Sequence, residues 1–331
     1  MNARSLLRSL LRSIRRLLAC GLFACLWWAG SAHAIDCTVT MSDIEFGDVN
    51  VLDTTPVSVN GEVKVECTDM TTKFARVCLS FGSPGGGTVA SRTMAGPTAT
   101  PLSYNIYQNA SHTTPWGSVY LAPAQPRSVT MQADAFGMAT ATVTYYGYML
   151  QPQPAVPAGS YAAIYTTADT NMNVQGYVST PPACSTSMPQ GTPWAFTVRA
   201  TVISDCNITA TNIDFGQIGL TSGQVSANGN IGVTCSAGTA YTISLNNGTA
   251  AGATAGARKM TRDGGTETLT YGLYIDPTHN IAWGDGTGGA TVMMGTGDGV
   301  AHQFPVYGMV PPQPGAAPGV YRDTIIVTIT Y

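Results

Sequence analysis

The feature that most constrains this 331-residue chain is that it repeats itself. Cys37-Thr38-Val39-Thr40 leads to Ile44-Glu45-Phe46-Gly47-Asp48-Val49, and Gly61-Glu62-Val63-Lys64-Val65-Glu66-Cys67 follows. Later, Cys206-Asn207-Ile208-Thr209 leads to Ile213-Asp214-Phe215-Gly216-Gln217-Ile218, and Gly229-Asn230-Ile231-Gly232-Val233-Thr234-Cys235 follows. Leu102 to Tyr107 ahead of Trp116-Gly117 parallels Leu273 to Asp276 ahead of Trp283-Gly284. Tyr146-Gly147, Gln153-Pro154 and Gly159-Ser160-Tyr161 parallel Tyr307-Gly308, Gln313-Pro314 and Gly319-Val320-Tyr321. Two copies of one domain of ordinary size account for the match.

Each copy reads as β. Val63, Val65 and Cys67 alternate with Glu62, Lys64 and Glu66, and Tyr241, Ile243 and Leu245 alternate with Thr242 and Ser244, the period of half-buried strands. Turn residues such as Ser83-Pro84-Gly85-Gly86-Gly87 and Asp285-Gly286-Thr287-Gly288-Gly289 punctuate the runs. The expected fold is all-β, two tandem immunoglobulin-like sandwiches.

The N-terminus reads as an export signal over residues 1–34. Arg4, Arg8, Arg12, Arg15 and Arg16 precede an apolar run from Leu17 to Ala29, and Ala32-His33-Ala34 supplies small residues for cleavage before Ile35. A membrane anchor needs about 20 apolar residues, and this run breaks at Gly30-Ser31. Five of the 15 Lys and Arg lie in the signal and none of the 18 Asp and Glu, leaving ten basic against 18 acidic residues, a net charge of −8. That balance argues against nucleic acid as a partner.

Cys20 and Cys25 leave with the signal, so six cysteines remain, an even number that favours three disulfides in an exported chain. Equivalence between the copies suggests Cys37 with Cys67 and Cys206 with Cys235, with Cys78 and Cys184 left for each other, although sequence alone leaves the connectivity open. No Cys-x-x-Cys pair occurs, and His112, His279 and His302 are scattered, so neither a zinc site nor another cofactor is expected. There is no Gly-x-Ser-x-Gly elbow or paired-His motif, which argues against an enzyme. Asp285-Gly286 and Asp298-Gly299 read as hairpin punctuation rather than calcium loops.

The Phe-Gly signature, the Gly-x-Val-x-Val-x-Cys strand, the Trp-Gly and Tyr-Gly elements and the ending Gly319-Val320-Tyr321 to Tyr331 resemble the spore coat protein U domain, twice over. That family also forms the subunits of archaic, Csu-type, chaperone-usher pili. The resemblance implies incomplete sandwiches that a periplasmic chaperone and then a neighbouring subunit complete by adding a strand, with export to the periplasm and then the cell surface through an outer-membrane usher.

Under that resemblance, Trp194 to Asp205 has the form of a donor strand, with Phe196, Val198, Ala200 and Val202 on one face. Tethered behind the first copy, it is expected to complete residues 35–203 from within, through a built-in final strand at 194–203. Residues 204–331 form the second domain, expected to lack its final strand until complemented by a donor. With only Ile35 and Asp36 ahead of Cys37 in the exported chain, the subunit is expected to accept a donor but not to supply one, as a pilus tip does. The loop from Thr170 to Pro193 is then expected at the free pole, with Met172, Val174, Tyr177 and Val178 as apolar surface contacts. Val119, Tyr120 and Leu121 are further candidates, whereas Trp116, repeated as Trp283, reads as core. The function expected is a tip adhesin that attaches to abiotic or host surfaces and supports biofilm formation. The alternatives are a carbohydrate-binding tip lectin and a structural coat protein.

Overall fold

The computed structural model describes residues 35–219 and 223–331, and the expected signal segment lies outside them. Among these residues all regular structure is β. The first copy folds as β1 (Asp36–Met41), β2 (Ile44–Val49), β3 (Val57–Thr68), β4 (Phe74–Phe81), β5 (Gly87–Thr88), β6 (Ser91–Met94), β7 (Leu102–Tyr107), β8 (Arg127–Gln132), β9 (Ala139–Met149), β10 (Gly159–Tyr165), β11 (Thr170–Tyr177) and β12 (Phe196–Val202). The second folds as β13 (Cys206–Ala210), β14 (Val225–Cys235), β15 (Ala240–Leu245), β16 (Arg258–Arg262), β17 (Thr268–Tyr274), β18 (Met293–Thr296), β19 (His302–Val310), β20 (Tyr321–Arg322) and β21 (Val327–Thr330).

The alternation read from sequence becomes two-layer packing. In the first domain a six-stranded sheet, β1-β3-β9-β7-β6-β5, faces two three-stranded sheets, β10-β12-β2 and β11-β4-β8. Val63, Val65, Val143 and Tyr145 point inward from the large sheet to meet Val77, Leu79 and Phe81 from the opposite face. Phe81 stacks on Trp116 with ring centroids 4.6 Å apart, and Phe196 closes on it at 5.0 Å. The second domain repeats the large sheet as β13-β14-β19-β17-β16-β20, but only β18-β15-β21 covers it. Among the described residues it has no counterpart of the β10-β12-β2 sheet.

Cys37 and Cys67 stand opposite each other on β1 and β3, as Cys206 and Cys235 do on β13 and β14, and each pair is bonded. Cys78 on β4 is bonded to Cys184.

A buried arginine beside each Trp-Gly element is a second repeated device. Arg92 donates to the carbonyls of Phe81 (3.1 Å), Gly82 (2.8 Å), Val89 (2.9 Å) and Trp116 (2.6 Å) and to the Asn105 side chain. Arg258 does the same for Asn246, Ala255 and Trp283, and burial pulls its guanidinium below the usual arginine value. These carbonyls sit at strand ends and in the connections beside them, where the buried guanidinium fork supplies hydrogen bonds to several at once. Arg92→Met should therefore lower the stability of the first domain by about 3–5 kcal/mol, read by denaturant unfolding. A loss under about 1 kcal/mol would mean that water or neighbouring donors take over those carbonyls.

The two ends of the first domain are distinct. Asn50 after β2 donates to Asp205 of the linker (2.8 Å), and Pro154 after β9 accepts from Ala237 (3.2 Å), so this end abuts the second domain. β3 leaves that end at Val57 and finishes at Thr68 beside Asp36, the start of β1. The opposite pole is therefore built from the turns 69–73 and 133–138 and from the chain leaving Tyr177. Met70 N–H bonds Gly137 O (3.0 Å), and the Phe74 ring stacks on Tyr177 at 5.5 Å.

Candidate functional site

The strand Phe196–Val202 lies between β10, which it meets antiparallel, and β2, which it meets parallel. Its register carries Phe196, Val198, Ala200 and Val202 into the core, and all four are buried. On the outer face Arg199 pairs with Asp43 (2.6 Å) and Glu45 (3.0 Å), exposed contacts worth little to stability. The register slips between Arg199 and Thr201, opposite Phe46-Gly47. Gly47 sits at φ +72°, which a β-bulge needs and glycine adopts without strain, and this is the physical content of the Phe-Gly signature. Gly216 repeats it at φ +69°.

In the second domain the same sequence elements have no strand between them. Ile44, Phe46 and Val49 are buried under β12, whereas their equivalents Ile213, Phe215 and Ile218 are half-buried and belong to no strand. A groove of 540 Å³ runs beside them, lined also by Met260, Leu269, Val310 and Tyr321. The chain's last residues form two short strands, β20 on β16 and β21 on β15, with residues 323–326 between them in neither strand. Behind groove-lining Phe215, whose ring lies 6.2 Å from that of Tyr271, the Tyr271 hydroxyl donates to Asp323 (2.7 Å), and burial followed by that acidic partner pushes its phenol far above the ordinary range.

The expected surface loop from Thr170 to Pro193 needs correction. Thr170–Tyr177 is the strand β11, paired antiparallel with β4 as β21 is with β15, so it does have a counterpart in the second copy. Its alternation turns Met172 and Val174 inward, 1% and 5% exposed, and they cannot serve as surface contacts. The chain then folds back along the outer edge of β11, where Val174 N–H bonds Pro189 O and Gly191 N–H bonds Met172 O, both at 2.8 Å. Tyr177 is half-buried against Phe74, and Val178 is 71% exposed.

Val119, Tyr120 and Leu121 also lie elsewhere than at the free pole. Val119 N–H bonds the Ser80 hydroxyl (3.2 Å) near the inner end of β4, which places the turn on the domain's flank. Sequence reasoning missed the most exposed apolar residue of the pole, Phe136, which is 84% exposed. It rides a hairpin held by Asp134, whose carboxylate accepts from the backbone of Phe136 (2.8 Å) and Met138 (2.9 Å). Met138 is itself exposed. The available signal was Asp134-Ala135-Phe136-Gly137, a turn with an aromatic where a polar residue would serve the turn equally well.

Comparison with known proteins agrees with the duplicated architecture. The family model for the spore coat protein U domain matches residues 27–167 and again 192–328. Protein U of Myxococcus xanthus is 38% identical over 107 residues, an alignment covering 31% of this chain and 59% of that protein, so the chain spans less than two thirds of that curated relative. Among solved structures, the chaperone–tip adhesion subunit pre-assembly complex CsuC–CsuE from the archaic chaperone-usher Csu pili of Acinetobacter baumannii has a TM-score of 0.53 at 16% identity, covering 89% of this chain and 100% of that one. At that identity the likeness bears on the fold. The family match spans both repeats, and the chain belongs to the spore coat protein U domain family, carrying two copies of its domain.

Proposed function

We propose that this protein is the tip adhesin of an archaic chaperone-usher pilus, exported to the periplasm and displayed at the cell surface, where it promotes attachment and biofilm formation. The observation that carries the reading is the contrast between equivalent residues: Ile44, Phe46 and Val49 are sealed by a strand of the same chain, while Ile213, Phe215 and Ile218 line an open groove. An apolar groove flanked by unpaired backbone is a template for strand addition, in which main-chain hydrogen bonds give affinity and alternate side chains fill pockets. The second domain thus receives the strand of a periplasmic chaperone and, after passage through an outer-membrane usher, that of the next subunit. The first domain fills its own groove with residues 194–203 and faces outward. Its free pole presents Phe136, Met138 and Val178, apolar side chains that gain free energy by leaving water at a surface.

A synthetic peptide of the Trp194–Ile203 sequence tests the acceptor reading, because the two copies share their groove-lining motif. Added to the full chain, it should raise the melting temperature of the less stable transition by about 10 °C at 100 times its dissociation constant. A peptide with Asp at the positions of Val198 and Ala200 should not. If both peptides leave unfolding unchanged, the groove is not an acceptor.

A further inference from the structure

The flank of the first domain holds a cleft of 690 Å³, within the size range of small-ligand sites, that neither the groove nor the free pole uses. It opens where β4 ends, between the Gly82-Ser83 turn, the 118–122 turn and Asp169-Thr170-Asn171, with Gln190 on its rim. The turn that follows Trp-Gly differs between the copies: Ser118-Val119-Tyr120 in the first stands where the second has Asp285-Gly286-Thr287. The shared fold therefore does not require an aromatic residue here.

Hydrogen-bond bookkeeping in the cleft is unbalanced. Tyr120 Oη accepts from Asn173 Nδ2 (3.1 Å) and from Gln190 Nε2 (2.7 Å). Asn173 is held in that orientation because its Nδ2 also donates to Met188 O (3.2 Å). With both lone-pair positions of the phenol oxygen taken, its own proton is left to donate, and no acceptor for it occurs among the described residues. Asp169 Oδ2 accepts from Thr166 N (2.9 Å) and Oγ1 (2.6 Å), while Oδ1 accepts no hydrogen bond among the described residues. Asn171 lines the same wall and makes no side-chain hydrogen bond among the described residues. One O–H donor, one carboxylate acceptor and one amide able to do both thus converge beside the Tyr120 ring and Leu121, which are 40% and 45% exposed.

A sugar matches that set. Each hydroxyl both donates and accepts, neighbouring hydroxyls bridge a carboxylate and an amide, and the C–H face of the ring lies on an aromatic surface. Among the described residues no Lys, Arg or His lines the cleft and Asp169 does, which disfavours an anionic ligand. No group of three metal-ligating side chains comes together among the described residues, which disfavours a cation. We propose that this cleft is a binding site for a neutral saccharide, separate from the apolar pole.

The test is an array of neutral and acidic glycans probed with the full chain, followed by calorimetric titration with the free form of any saccharide retained. A neutral saccharide should be retained. Tyr120→Phe, which keeps the ring and removes the donor along with the acceptor of Asn173 and Gln190, and Asn171→Ala should each weaken binding about tenfold or more, while the melting temperature falls by no more than a few degrees. Gln190→Ala, on the exposed rim, gives a third reading should Asn171→Ala perturb β11. Phe136→Asp should leave the titration unchanged. The proposal is overturned if no glycan is retained, if only acidic glycans are retained, or if the retained saccharide binds Tyr120→Phe and Gln190→Ala as tightly as the parent chain.

Discussion

Val198→Asp is expected to unfold the first domain. Val198 is fully buried at the centre of β12, between Phe196 and Ala200 on the core face, with β10 and β2 paired on either side. An ionised carboxylate placed there loses its hydration among apolar neighbours, while the buried Arg92 guanidinium is already engaged by Phe81, Gly82, Val89, Asn105 and Trp116, so the cost is several kcal/mol against a typical total stability of about 5–15 kcal/mol. Loss of β12 also removes the cover from Ile44, Phe46 and Val49, so the damage is cooperative rather than local. The expected readout is loss of the higher melting transition and rapid proteolysis of residues 35–203. Thr201→Asp, on the exposed face of the same strand, should shift stability by about 0.5 kcal/mol or less. Comparable melting of the two variants would mean that β12 is a dispensable linker rather than the strand that closes the sandwich.

The second large effect concerns attachment. Phe136→Asp combined with Val178→Asp should abolish adhesion to hydrophobic surfaces while leaving the fold intact, because both side chains already face solvent. Burying a Phe or Val against an apolar surface contributes about 1.5–3 kcal/mol each, so losing both corresponds to roughly a hundredfold to ten-thousandfold weaker contact per molecule. The parent's attachment should persist in high salt, since apolar contact involves no screened charge pairs. The control is Met172→Leu, a substitution of a buried side chain, which should leave adhesion unaltered. Adhesion equal to the parent in the double variant would remove the pole from the function.

These two predictions rest on different sources of information. The duplication, the strand period, the all-β class and the apolar face of residues 196–202 were legible in the chain, because each depends on local spacing that a two-residue repeat or a matched motif makes visible. Position within the sandwich was not. Met172 and Val174 carry the same apolar alternation whether the segment is a surface loop or a core strand. What decides is non-local: pairing with β4 and the return of residues 188–191 along the outer edge of β11. Phe136 gave almost no signal because one aromatic in a short turn has no period, and its exposure follows from the Asp134 hairpin projecting past the sheet. The asymmetry of the grooves was already implied by the donor-like segment 194–203 behind the first copy, and the structure added its consequence in burial: Ile213, Phe215 and Ile218 repeat Ile44, Phe46 and Val49 in sequence and differ only in what covers them. Local periodicity is written along the chain, whereas burial is a property of which distant segments return to cover a face, and that only the tertiary structure decided.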